Sequence, residues 1–154
     1  MDEVFSKYRN VLKPLLAEIE AEDLQFPTAI LNEIRSAFDH LARHHADNSG
    51  KSENLVKAVG HIDRAIFDCY KWLIVSHHDR IEAFQAQNEH KDWSTVDGGR
   101  FNSKFCELRC EAKNSYITAK RQPDSGENWS KAYHAYFDCL FLNHSRKTLF
   151  IRRL

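Results

Sequence analysis

Nine histidines and four cysteines give this chain enough imidazole and thiol to bind a metal ion or to move protons, provided that their spacing brings them together. Cys106 and Cys110 stand four residues apart, one helical turn, which can set two thiolates on one ion but leaves two further ligands to come from elsewhere. At about 100° per residue, His77 falls among Val59, Tyr70, Ile81 and Phe84, and His144 falls close to Tyr133 and Leu140. Both are expected to face inward, as hydrogen-bonded core imidazoles or as ligands for a metal or a small molecule. The Glu-x-x-His pairs of di-iron bundles and the His-Glu-x-x-His of zinc proteases are absent. So are the glycine patterns of dinucleotide sites, P-loops and nucleophile elbows. Glu33 and Asp39 could move protons, yet neither has a paired acid at a telling spacing. No motif implies a cofactor, and none fixes the identity of a metal.

The segment EIRSAFDHLARHH, residues 33–45, concentrates charge and imidazole on one helix. Glu33, Ala37, His40 and His44 line one flank, whereas Arg35 lies on the other, about 140° from His40 around the axis. Arg35, four intervening residues and His40 resemble the Arg-x4-6-His signature of the HEPN superfamily, a group of helical-bundle ribonucleases and nucleic-acid-associated proteins. Ser36 follows Arg35 where many members carry Asn, Asp or His. The resemblance implies an endoribonuclease that needs no metal and acts as a dimer, with the motif of two copies meeting across a cleft. Arg35 would then hold phosphate and His40 would move a proton, which makes these two the candidate catalytic residues.

Helices must position all of these groups. Val4, Phe5, Tyr8, Val11, Leu12, Leu15, Leu16 and Ile19 recur at helical spacing, with Pro14 expected to kink or divide that helix. Pro27 and Thr28 can start a second helix on Ile30, Leu31, Ile34, Ala37, Phe38 and Leu41, which ends at HHADNSGKS. From Leu55 to Phe84 the apolar period holds for about eight turns, which predicts a long spine helix ending before a Trp93–Gly99 loop. Phe101, Phe105, Leu108, Ala112 and Tyr116 mark a fourth helix, and Trp129 to Phe141 a fifth, with Asp124 and Glu127 at capping-box spacing. Opposite the apolar stripe of the long helix, Arg64 is spaced to pair with Asp68, and Trp72 offers a large area for a partner or a packed helix. The strings AIFDCY and AYFDCL, at 65–70 and 135–140, look alike but fit no solenoid period.

One-sided stripes with no period-two alternation predict an all-α fold, an antiparallel helical bundle of four to five helices with one long central helix, as a single domain over residues 1–154. Charged residues make up 29% and hydrophobic ones 42%, with only five glycines and three prolines, which excludes disordered and collagenous classes. Lys plus Arg and Asp plus Glu number 22 each, so the strong overall basicity of many nucleic-acid binders is missing. The charges are nevertheless graded, from 5 basic and 9 acidic side chains in residues 1–50 to 10 and 5 in residues 101–154. Arg146, Lys147, Arg152 and Arg153 concentrate the basic end, where they suit a helix C-terminus or an anionic partner.

The absence of a long apolar run, the charged start MDEVFSKYR and the sparse cysteines lead to the expectation of a cytoplasmic protein with reduced thiols and no membrane segment. Three functions compete. The first is a noncatalytic helical interaction or oligomerisation module, with a homo-oligomer or a protein as partner. The second is the HEPN-type ribonuclease with RNA as substrate, and the third a helical binder of a metal or small ligand.

Overall fold

Residues 2–23, 26–46 and 51–151 are described by the structure, a computed structural model, with side chains placed except at positions 23, 51 and 143–151. All regular elements among them are helical. The chain divides into two compact units, residues 1–72 and 73–154, and helix α4 contributes to each.

The first helix runs as α1 (Asp2–Lys7), a π-helical stretch (Tyr8–Leu12) and α2 (Lys13–Asp23). Pro14 neither ends nor divides it. A proline lacks the N–H that would bond four residues back, and its ring crowds the carbonyl there. The chain has already widened at that point, because the Lys13 N–H donates to the Tyr8 carbonyl five residues back. Helix α3 (Thr28–Ala46) starts where expected, with the Ile30 N–H donating to the Pro27 carbonyl at 3.1 Å. Helix α4 (Lys51–Gln87), the long spine, has 37 residues.

Within the first unit, Glu33 meets His61 and Arg64, and His40 meets Asn54. Partner numbers fall along α4 as they rise along α3, so the two helices are antiparallel. The core of this unit includes Leu12, Ile19, Ile30, Ala37, Ile62 and Ala65, all buried. Other members of the predicted stripes stay open to solvent, notably Leu31 at 48%, Phe38 at 65% and Val56 at 68% exposure. Periodicity marks which side of a helix is apolar without saying how much of that side is covered.

In the second unit, the expected loop after α4 is a short 3-10 segment (Trp93–Gly99). It is capped by Asp92, whose carboxylate accepts from the Ser94 N–H and hydroxyl. Its last three residues, Asp97, Gly98 and Gly99, leave the helical conformation for the left-handed region, with φ of 53°, 62° and 83°. Two of these three positions are glycines, which take positive φ at little cost. Helices α5 (Arg100–Arg121) and α6 (Gly126–Ile151) pack on each other, joined by the Gln122–Ser125 turn. The cap of α6 is Ser125, which accepts from the Asn128 N–H, and not the expected Asp124. Glu127 instead pairs with Lys131 one turn on. The Trp129 indole fixes the turn by donating to the Pro123 carbonyl at 2.8 Å. No helix among the described residues is long and apolar enough to cross a membrane.

Candidate functional site

The antiparallel register of α3 and α4 brings five polar side chains to one place in the first unit. Glu33 accepts from the Arg64 Nε–H at 2.9 Å, and the same oxygen lies 2.8 Å from His61 Nδ1. The His61 ring stacks on His40, with centroids 5.2 Å apart and planes at 21°. His40 Nδ1 lies 3.1 Å from Asn54 Oδ1, an acceptor, so this nitrogen donates and Nε2 is left for another partner. Glu33, His40, Asn54 and His61 are half-buried, whereas Arg64 is exposed.

One contact in this group forces a choice. His61 Nδ1 is also 2.7 Å from Arg64 Nη2, and a ring nitrogen either donates or accepts. With a proton at Nδ1, His61 donates to Glu33 and its Nε2 is a base, unless the ring is doubly protonated. Without one, Nδ1 accepts from Arg64, and the Nε2–H is a neutral hydrogen-bond donor. Burial alone would push the Glu33 carboxyl up, but the hydrogen bonds and charges of His61 and Arg64 outweigh it and hold it below the usual carboxylate value. The carboxylate therefore stays ionised and anchors both partners. The outcome is two stacked imidazoles, each oriented by its own polar neighbour, beside a guanidinium. Such a set can exchange a proton at two points and attract an anion.

Of the two residues singled out by the Arg-x4-His spacing, only His40 belongs to this group. Arg35 is exposed and pairs with nothing among the described residues. On an α-helix the two lie about 140° apart, so one copy of the helix cannot point both at one substrate atom. The guanidinium near His40's partner comes from Arg64. The expected Arg64–Asp68 pair is not formed, because Glu33 reaches Arg64 from α3 and Asp68 is taken by Lys71 at 2.9 Å. Compared with known proteins, the chain matches no family model, no curated protein and no solved structure.

His77 faces inward as expected and is fully buried, with the rings of Tyr133 and Phe137 at 5.7 and 6.0 Å. His144 and the basic residues Arg146, Lys147, Arg152 and Arg153 lie outside the residues whose side chains are described. Cys106 and Cys110 are exposed on α5, the first donating to Asn102 Oδ1 and the second accepting from the Asn114 amide. Trp72 remains 41% exposed. Nothing in the sequence marked His61 and Asn54 as partners; the pairing of 33 with 61 and of 40 with 54 follows from the antiparallel packing of α3 and α4.

Proposed function

We propose that the chain is a helical module that pairs with a second copy of itself through the outer face of α3. The observation that carries this is the stripe Leu31, Arg35 and Phe38, in which both apolar members stand 48% and 65% exposed at two-turn spacing. A two-fold axis near its centre would set Leu31 of one copy against Phe38 of the other, twice, so one helix face is its own complement. Covering these four half-exposed side chains contributes about 1–1.5 kcal/mol each. That sum reaches only the low end of the roughly 4–15 kcal/mol lost on association, so these four side chains alone give a dimer weaker than about 1 mM. The two Arg35 guanidiniums would approach each other at the axis, so dimerisation should tighten with phosphate or another multivalent anion. Sedimentation equilibrium carried up to millimolar chain concentration, with and without phosphate, tests this. A dimer that Phe38→Asp converts to monomer is expected, while a wild-type chain that is monomeric throughout, or a variant that still pairs, would overturn the reading.

A second reading, a HEPN-type ribonuclease, is favoured by the stacked His40 and His61. In it one neutral imidazole takes the proton of a ribose 2′-hydroxyl, whose oxygen attacks phosphorus, while the other, starting as an imidazolium, gives a proton to the departing 5′-oxygen. Arg64 would hold the phosphate, and Arg35 of a second copy would join it only in a pairing other than the one centred on the Leu31–Phe38 stripe. Cleavage of single-stranded RNA in EDTA, lost in both His40→Ala and His61→Ala, is the expected result. Activity that survives both substitutions would sink it.

A further inference from the structure

The second unit contains a half-open groove of about 590 Å³ bounded by α4, α5 and α6. That size falls in the range of roughly 300–1,000 Å³ typical of small-molecule sites. Its surface is mainly apolar, with Ile74, Ile81, Ala112 and Tyr136 on the buried side. Among the described residues, the charged side chains on it are both basic, Arg109 and Lys113, and no carboxylate lines it. Arg109 already donates to Glu82, whereas Lys113 makes no ion pair or hydrogen bond among the described residues. Burial, with smaller contributions from Tyr116 and Cys139, pushes the Tyr136 phenol up, so it meets an incoming anion as a neutral group and not as a second negative charge.

We infer that this groove binds a small amphipathic anion, an apolar body ending in a carboxylate or sulfonate, with the body along the α4–α6 floor and the head group at Lys113. An apolar wall with one unpaired cation at its edge discriminates such a molecule from a neutral one of equal size. An anion with a short apolar part would lack the body contacts, and an alcohol with the same body would lack the charge-assisted bond. The inference is independent of self-association through α3 and of chemistry at His40. The sequence had pointed to His77 for a ligand, but that ring is enclosed, and it is the neighbouring His78 that reaches the groove.

Cys106 and Cys110 also line the groove and are exposed, so they report on its occupancy without any substitution. The experiment titrates the full chain with 1-anilinonaphthalene-8-sulfonate, an apolar anionic fluorophore, and competes it with dodecanoate and with dodecan-1-ol. Saturable binding is expected, with dodecanoate displacing the fluorophore at least about tenfold better than the alcohol, and Lys113→Glu weakening both anions by about tenfold or more. Saturating dodecanoate should slow alkylation of Cys106 and Cys110 several-fold in the unaltered protein. Equal competition by the alcohol, binding indifferent to Lys113→Glu, or unchanged alkylation of the two thiols would each overturn the assignment. So would a change of oligomeric state in Lys113→Glu with no anion binding by the parent, because the groove would then be a face for a second copy.

Discussion

The two units join their helices by different chemistry. Where α3 meets α4 in residues 1–72, the contact includes a carboxylate, a guanidinium, an amide and two imidazoles, half in water. Where α5 meets α6 in residues 73–154, it is made by rings, with Tyr116 against Trp129 and Tyr136 at 6.1 and 6.3 Å. Area removed from water stabilises a contact without needing exact angles, whereas polar groups stabilise little net and must all be satisfied. The ring contact therefore adds to the buried apolar core of its unit, and the polar one carries directional information that a site can use.

The largest break in this contrast should come from Trp129, which is 1% exposed and anchors the Pro123 turn. Trp129→Ala should cost about 3–5 kcal/mol in urea unfolding. A loss under about 1 kcal/mol would show that the rings add little to that core.

Glu33→Gln should cost less, about 1–2 kcal/mol, since Arg64 is half in solvent and screens part of the effect. Its pH dependence separates it from a packing defect. The folded-state carboxyl is held below the ordinary value of 4.5, so its contribution is complete above that value and is lost as pH falls through the lower folded one. The gap between parent and variant should then close in acid, and a gap constant from pH 7 to pH 3 would contradict the ionised anchor.

The smallest effect is one of reactivity and not of stability. Burial pushes the Cys69 thiol up to about 12 and the Cys139 thiol up to about 11, whereas Cys106 and Cys110 are exposed. Alkylation followed by mass spectrometry should modify the α5 pair in the native protein and the other two only after unfolding. Early labelling of Cys69 would mean that its unit opens readily.

The helices were legible because each carries a stripe of period 3.6, and α4 was legible almost end to end because nothing from Ser52 to Gln87 interrupts it. The polar group was not. Arg64 has one visible candidate partner on its own helix, Asp68, and a single helix cannot show that Glu33 arrives from another. His40 was found through a spacing motif, but its motif partner Arg35 turned out to share an exposed stripe with Leu31 and Phe38. Spacing along a helix fixes which groups share a face, and only the packing of a second helix decides which groups meet. The same limit applies to the groove, since Lys113 and Tyr136 lie on different helices and their sequence separation says nothing of their proximity.

The π-helical stretch at Tyr8–Leu12 changes how this chain can vary in length. Eight residues separate Val4 from Leu12, which in an uninterrupted α-helix would leave them about 80° apart in phase. Absorbing one residue in the wider turn reduces the difference to about 20°, and Val4 is indeed buried along with Leu12 and Ile19. The widened turn thus stores one residue that the buried face does not need. A deletion there, at Asn10 for instance, would let the helix close up with Val4 still in phase, whereas a deletion between Leu15 and Ile19 would rotate every earlier side chain by about 100°. The first helix has one place where it can lose a residue and keep its inward face, and that place lies immediately before its proline.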